Sequence, residues 1–185
     1  RNGELVNSQY GAVGRDVELP AQSCVEFDLA WRQVPGPFDV GLYCDQPNVV
    51  LGEGNASGYW LIFAGSQVQL HRTSQQGQTV IGQADIRQFL SRNQLHVAIQ
   101  ADRGKKTVRL LLDGLLVKAW SDPGEWAGTG RCLIFFSQQS ADQSLRLSRL
   151  IVRGWAGQLD GAPVSATQED VLCLANHDRV SGTVK

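Results

Sequence analysis

Two carboxylates in one short segment are the residues with the clearest chemical potential. Glu26 and Asp28 flank Phe27, within a run where Val25, Phe27 and Leu29 alternate with polar residues. In a β-strand this spacing places both carboxylates on one face, about 7 Å apart along the backbone. Glycoside hydrolases use such a pair, one as general acid and the other as base or nucleophile. The same pattern is typical of the solvent-facing side of a half-exposed strand, so both interpretations stay open.

A second candidate site combines an aromatic ring with polar groups. Trp60 precedes Gly65-Ser66, and Gln69 and His71 follow it, in two apolar runs that the Gly-Ser pair joins as a tight hairpin. The register sets Trp60 opposite His71, with Gln69 on the same face. An indole that stacks on a sugar, flanked by hydrogen-bonding groups, is a carbohydrate platform. The alternative is that Trp60 is covered and belongs to the core.

The two candidate sites form one ligand surface if their strands belong to the same sheet. Pro35-Gly36-Pro37 predicts a hairpin after the first strand, which places Glu26, Asp28 and Arg32 on a common face. Together with Trp60 these groups would supply an aromatic plate, carboxylates and a guanidinium, a mixture suited to sugar hydroxyls. No sequence rule decides whether the two hairpins share a sheet.

Metal and cofactor sites have weaker support. The three histidines are far apart and show no metal-ligand spacing. Asp122 and Glu125, between Trp120 and Trp126, could hold calcium on a rim loop, although no EF-hand spacing is present. We therefore expect no cofactor, with calcium as the alternative.

Charge and hydropathy exclude two classes of partner. The chain has 17 basic and 18 acidic residues, which gives a net charge of −1. It has no basic stripe of the kind that displaces counterions from nucleic acid. No apolar run approaches the roughly 20 residues of a membrane helix. We expect neither nucleic-acid binding nor membrane insertion, and the oligomeric state stays open.

The four cysteines are expected to be free thiols. Cys24, Cys44, Cys132 and Cys173 form no C-x-x-C pair, and each lies within or beside an apolar run. In such a position a cysteine acts as a small hydrophobic residue.

The elements that must position these residues are strands. Hydrophobicity alternates with period two, and turn signals recur about every ten residues. Asp113-Gly114 predicts a hairpin that pairs Leu110 with Val117, and only residues 85–90 predict a helical turn, capped by Asp85. The sequence therefore predicts an all-β fold of two antiparallel sheets, a jelly-roll sandwich with one short helical turn. The residues predicted to be buried are Phe27, Leu29, Leu61, Phe63, Leu70, Leu110, Val117, Ile134 and Val152.

Residues 95–117 resemble the concanavalin A-like lectin/glucanase superfamily, which includes laminin-G-like domains. The resemblance rests on Leu95-His-Val-Ala-Ile99, a charged turn, and a second strand that ends at Asp113-Gly114. Residues 145–155 are similar to the closing strand of those domains. The resemblance implies a sandwich over residues 1–157 that binds carbohydrate or protein on its concave sheet or rim loops. It also implies, for some members, glycan hydrolysis and bound calcium.

Glucanases of this superfamily carry two glutamates around an aspartate, in the pattern E-x-D-x-E or E-x-D-x-x-E. Here Ala30 and Trp31 occupy the positions of the second glutamate. A two-carboxylate mechanism built on Glu26 and Asp28 therefore lacks one member.

The pattern of apolar and polar residues changes near the end of the chain. Residues 158–169 show no hydrophobic periodicity, which predicts a linker. Residues 170–185 predict an isolated β-hairpin, which either packs on the sandwich or begins a further domain. The hairpin resembles an "NGD…G" hairpin of large exported bacterial proteins, with His177 where glycine is usual. We therefore expect a non-catalytic module for carbohydrate or protein within a larger exported protein. A glycoside hydrolase or lyase, and a structural spacer, are the alternatives.

Overall fold

The computed structural model describes residues 5–7, 10–32, 36–47, 57–128, 130–138, 145–155, 170–173 and 179–182. The strands are β1 (Leu5–Asn7), β2 (Tyr10–Asp16), β3 (Gln22–Trp31), β4 (Phe38–Cys44), β5 (Gly58–Ala64), β6 (Gln67–Ser74), β7 (Gly77–Asp85), β8 (Gln94–Asp102), β9 (Thr107–Leu112), β10 (Leu115–Ser121), β11 (Cys132–Gln138), β12 (Leu145–Gly154), β13 (Asp170–Cys173) and β14 (Arg179–Gly182). A 3₁₀ turn spans Arg87–Phe89.

Two six-stranded antiparallel sheets pack into a sandwich, which confirms the predicted fold class. The first sheet has the order β1-β12-β3-β8-β9-β10, and the second has the order β2-β11-β4-β5-β6-β7. Among the described strands, β13 and β14 form a separate two-stranded sheet. Among the described residues, no helix has the length and apolar character needed to cross a membrane.

Alternating side chains from both sheets fill the space between them. Phe27 on β3 makes edge-on ring contacts with Phe38 of β4 at 6.3 Å and Phe135 of β11 at 5.2 Å between centroids. Seven of the residues predicted to be buried are so, whereas Val117 and Val152 are only partly buried against the core. The helical turn places Phe89 in the core, and Asp85 Oδ1 accepts a hydrogen bond from the Arg87 amide at 2.8 Å.

The β5–β6 hairpin has the predicted register. Trp60 pairs with His71 and Leu61 with Leu70 across the strands. Gly65 in the connecting turn has a φ of 55°, a conformation that glycine adopts without a steric penalty. The turn chemistry was therefore sufficient to assign the faces of both strands.

The predicted pairing of β9 with β10 is wrong beyond the turn. Leu112 pairs with Leu115, but Leu110 pairs with Lys118 instead of Val117. The register shifts between Leu116 and Lys118, where β10 contains one extra residue. This β-bulge moves every later pair by one position and explains why Val117 is only partly buried.

Strands β3 and β4 do not form a hairpin, which corrects a second prediction. Strand β3 lies in the first sheet and β4 in the second, so the chain crosses between sheets after Arg32. A proline-rich segment can cross the roughly 10 Å between packed sheets as readily as it can turn back within one sheet. Glu26 and Asp28 therefore belong to the first sheet and Arg32 directly follows their strand, whereas Trp60 and its neighbours belong to the second sheet. The condition under which the two candidate sites would form one surface, a shared sheet, is therefore not met.

Cys24, Cys44 and Cys132 are buried and form no disulfide bond, in agreement with the prediction for these three cysteines. Cys44 and Cys132 are paired positions on neighbouring strands. Burial raises the pKa of the Cys44 thiol above its usual value. The predicted linker, the side chain of Cys173 and the turn around His177 lie outside the described residues.

Candidate functional site

The outer face of the first sheet carries the two carboxylates singled out from the sequence. Phe27 faces the core, so Glu26 and Asp28 point away from it. Glu26 is nevertheless only 7% exposed, because the Arg153 guanidinium of β12 donates to its Oε1 at 2.6 Å from Nη2 and 3.2 Å from Nε. The Cys24 thiol contacts the same oxygen at 3.3 Å. Glu26 is therefore held within a layer of side chains on the sheet.

The ion pair decides the protonation state of Glu26. Burial alone raises its pKa, but the hydrogen bonds from Arg153 and Cys24 and the charge of Arg153 outweigh that effect. The pKa of Glu26 therefore lies below its usual value. A general acid for glycoside cleavage needs a raised pKa, so this carboxyl group is poorly suited to that role.

Asp28 is held by groups from two neighbouring strands. His96 of β8 is its cross-strand partner and donates from Nδ1 to Oδ1 at 2.8 Å. Arg149 of β12 forms an ion pair with Oδ2. Arg149 has a φ of 52° and lies where the β12–β3 register shifts, between Ser148 and Ile151. This bulge turns the arginine over the outer face of the sheet.

Beside Asp28 an open groove runs across the same face. One part, about 280 Å³, extends from Asp28 to Arg149 and His96. It adjoins a second part of about 670 Å³ that reaches Arg32 at the end of β3. We call this site the polar groove, and its lining includes Asp28, Ala30, Arg32, Arg92, Gln94, His96, Asp113, Arg146, Ser148 and Arg149.

The polar groove contains residues that the sequence analysis did not single out. His96 alternates with Leu95 and Val97, a signal that places it on an outer face. Its contact with Asp28 spans 68 positions, and that of Arg149 spans 121. No local pattern relates residues so far apart in the chain, so their partners emerge only from the strand order.

The site predicted around Trp60 lies on the predicted face of its strands, but the indole of Trp60 is buried. Trp60 is 0% exposed and clusters with Cys44, Cys132 and Ile134 on the outer side of the second sheet. Gly41 lies beneath it, and a Cβ at that position would be 2.9 Å from Trp60 Cζ3. With no exposed ring face, Trp60 offers no stacking surface for a sugar in this conformation.

His71 is similarly enclosed. It is 7% exposed, its Nε2 is hydrogen bonded to Gln69 Oε1 at 2.8 Å, and its Nδ1 contacts the Gln78 amide. Burial lowers the pKa of His71. Its two ring nitrogens are therefore occupied by protein groups, as expected of a neutral structural histidine.

The carboxylate considered for calcium also has protein partners. Asp122 accepts hydrogen bonds from Tyr59 Oη at 2.6 Å, Arg72 Nη1 at 2.7 Å and the Gly124 amide at 2.8 Å. Trp126 packs on the Tyr59 ring at 4.2 Å between centroids. This cluster joins the loop after β10 to the second sheet. Throughout the part of the chain that the structure describes, no three His, Cys, Asp or Glu residues gather as metal ligands.

Comparison with known proteins gives the fold and no family. No protein-family model and no curated protein matches the sequence. Among solved structures, the carbohydrate-binding module CBM66 from Bacillus subtilis is similar over 83% of this chain and 84% of its own, with 12% identity and a TM-score of 0.53. Sheep galectin-11 is similar over 78% of this chain and 98% of its own, with 6% identity and a TM-score of 0.54. The Emp47p carbohydrate recognition domain is similar over 83% of this chain and 89% of its own, with 9% identity and a TM-score of 0.56. This chain therefore has the β-sandwich fold of lectin-like domains.

Proposed function

We propose that this domain is a non-catalytic carbohydrate-binding module whose ligand lies in the polar groove. The observation that carries the proposal is a groove with a fixed polar floor. Asp28, His96 and Arg149 come from three strands and hold one another in place beside an open volume of about 280 Å³ that adjoins one of about 670 Å³. Groups preorganised in this way bind hydroxyls without first losing side-chain entropy.

The polar groove supplies both the hydrogen-bond donors and the acceptors that sugar hydroxyls need. Guanidinium groups of Arg32 and Arg149 donate, and the carboxylate of Asp28 has lone pairs that accept. Gln94 adds an amide with both functions on the same surface. A hydroxyl is both donor and acceptor, so such alternation suits it better than a surface of one kind.

The fold comparison supports the same function. The three similar structures are described as a carbohydrate-binding module, a galectin and a carbohydrate recognition domain. At 6–12% identity they share the fold alone with this chain. We therefore infer carbohydrate binding from the residues of the groove.

The non-catalytic form of the proposal follows from Glu26 and Asp28. Both are in ion pairs, and the lowered pKa of Glu26 opposes proton donation to a leaving group. Hydrolysis or lyase activity is therefore the second candidate. A structural spacer is the third. Placement within a larger exported protein remains part of the proposal.

A groove-filling variant tests the site. Ala30 lines both parts of the polar groove, and its side chain points away from the core, so Ala30→Trp should block the groove without disturbing the sandwich. Ala12 on β2 is exposed in the other sheet, and Ala12→Trp is the matched control. We expect wild type and Ala12→Trp to bind the same glycans on an array, and Ala30→Trp to bind none, with equal melting temperatures.

The same experiment separates the other candidates. Failure of wild-type protein to bind any glycan would favour the spacer, and binding by Ala30→Trp would place the ligand elsewhere. Release of reducing sugar or unsaturated product from a bound glycan would establish catalysis and contradict the non-catalytic form. A parallel array in EDTA tests calcium, and we expect unchanged binding.

A further inference from the structure

We infer that the polar groove selects acidic glycans, those whose sugars carry carboxylate or sulfate groups. The inference rests on the proposed function, because it assigns the ligand class of the same groove. It follows from the balance of charges on the groove's surface and from the pairing of those charges.

The two aspartates of the groove already have partners. Asp28 contacts His96 at 2.8 Å and forms an ion pair with Arg149. Asp113 contacts Arg92 at 3.5 Å and accepts a hydrogen bond from the His96 amide at 3.0 Å. Each carboxylate therefore neutralises one guanidinium of the groove.

The arginines outnumber these aspartates. The described lining contains Arg32, Arg92, Arg146 and Arg149 against Asp28 and Asp113. Asp28 pairs with Arg149 and Asp113 with Arg92, so the positive charge of Arg32 is in excess among the described residues. The complete chain has a net charge of −1, so the excess is a local property of this surface. Clustered charge of one sign raises the local concentration of oppositely charged ligands.

Arg32 is the guanidinium best placed to meet an anion. It lies at the bend directly after β3, is exposed, and makes no hydrogen bond or ion pair with any residue that the structure describes. Its backbone is well anchored, since the preceding Trp31 is 8% exposed and its amide donates to the Asn93 carbonyl at 2.9 Å. A fixed base with an unpaired planar head is the arrangement that binds an oxoanion.

The chemistry favours an acidic sugar over a neutral one. A guanidinium forms two parallel hydrogen bonds to a carboxylate or sulfate, and such charge-assisted bonds are about twice as strong as neutral ones. A neutral hydroxyl accepts only one bond from the fork and leaves the excess charge uncompensated. The groove therefore discriminates on charge as well as on shape.

The test compares polymers that differ in charge alone. We expect the protein to bind polygalacturonate at least tenfold more tightly than its methyl ester, which has the same sugar backbone without the carboxylate. Chondroitin and chondroitin sulfate distinguish the two anions, because the first carries carboxylates only and the second adds sulfates. Affinity for the preferred polymer should fall as salt rises, because the charges of protein and ligand are screened.

Arginine variants assign the effect to the groove. Arg32→Gln should weaken acidic-polymer binding about tenfold, and Arg32→Lys should restore part of it, since lysine keeps the charge but not the fork. Arg131→Gln is the matched control, because Arg131 pairs with Asp16 and Glu18 on the other sheet, is 58% exposed in its side chain, and lies outside the groove. We expect its affinity to equal that of wild type, with melting temperatures the same for all three.

Two results would overturn the inference. Equal affinity for the ester and the acid would leave glycan binding intact but remove charge selection. Equal losses in Arg32→Gln and Arg131→Gln would show that overall charge, rather than the groove, attracts the polymer. Absence of binding to every polymer, neutral or acidic, would contradict the proposed function itself.

Discussion

At the scale of single residues, Asp39 is a buried carboxyl group for which the described residues provide no ion pair. It lies on the outer side of β4, opposite Ile62 of β5 and Phe136 of β11, and is only 2% exposed. Its Oδ1 has no hydrogen-bond partner among the residues that the structure describes. Burial raises the pKa of Asp39 to about 7, because the charged form is poorly solvated there. The carboxyl group is therefore a cost to the fold once it ionises.

This shift predicts that the contribution of Asp39 to stability falls as pH rises from about 4 to 7. In that window the folded state keeps a proton that the unfolded chain has released, so each step upward in pH favours unfolding. Above pH 7 the penalty is complete. Asp39→Asn should remove it and raise the free energy of unfolding at pH 8 by on the order of 4 kcal/mol relative to wild type.

Urea unfolding at pH 4 and pH 8 measures this difference. Asp45→Asn is the control, because it makes the same change of side chain at an exposed position directly after β4. An Asp39→Asn variant with the same pH dependence of stability as wild type would contradict the shift.

At the scale of elements, the contact of β4 with β5 explains why Trp60 is buried. Gly41 and Trp60 are cross-strand partners, and the absence of a side chain at Gly41 makes room for the indole. A Cβ there would be 2.9 Å from both Trp60 Cζ3 and Cys44 Sγ. Within the described part of the chain the indole Nε1 has no hydrogen-bond partner, so the ring contributes through packing.

We predict that Gly41→Ala is destabilising and that Trp60→Phe partly rescues it. The added methyl group overpacks the site at a cost of about 1–3 kcal/mol, and the smaller phenyl ring relieves the clash. Trp60→Ala should cost about 3–5 kcal/mol, because it leaves a cavity in a fully buried site. Chemical denaturation of the single and double variants gives the coupling energy.

Gly11→Ala is the matched control, since a Cβ at Gly11 of β2 meets nothing within 4 Å. Strictly additive effects of Gly41→Ala and Trp60→Phe would show that the two side chains do not compete for space. A Trp60→Ala variant with unchanged stability would return Trp60 to the candidate ligand surface.

Elements also show how far the sequence determines the structure. The β5–β6 register was predictable because the Gly65-Ser66 turn lies directly between the paired residues. The bulge near Val117 was not, because the Asp113-Gly114 turn fixes the pairing only beside the turn and no glycine or proline marks the extra residue further along β10. The crossing between sheets after Arg32 was not predictable either, because the sheet that β4 joins depends on its pairing with β5 and β11. The same limit applies to the site. The alternation of β3 identified Asp28 as outward-facing, whereas its neighbours from β8 and β12 required the complete strand order.

At the scale of the whole molecule, Trp155 attaches the end of the sandwich domain to the first sheet. Trp155 follows β12 and is 7% exposed, in a cluster with Cys24, Ala98 and Leu111 on the outer face of the first sheet. The Arg109 guanidinium lies 5.6 Å from the centre of the indole. The Trp155 amide donates to the Gln22 carbonyl at 3.0 Å. The chain is thus fixed to the sheet at the position where the predicted domain ends.

We predict that removal of residues 158–185 leaves the melting temperature unchanged, because the described core and its anchor precede residue 158. A shorter chain that ends at Gly154 should melt several degrees lower, because it loses the indole and its hydrogen bond. Differential scanning calorimetry of the two truncated chains and the complete one makes the comparison. A fall of several degrees in the first truncated chain would show that the terminal hairpin packs on the sandwich, and would move the domain boundary.

The alternation along β3 separates what the fold needs from what a ligand meets. Phe27 and Leu29 are committed to the interior, whereas Asp28 and Ala30 lie on the groove side of the same strand. Changes at groove positions therefore alter recognition while the interior keeps its shape. Such a surface is highly evolvable. A library randomised at Ala30, Gln94 and Ser148 should yield mostly folded proteins with new preferences, so the domain is a practical scaffold for engineered binders.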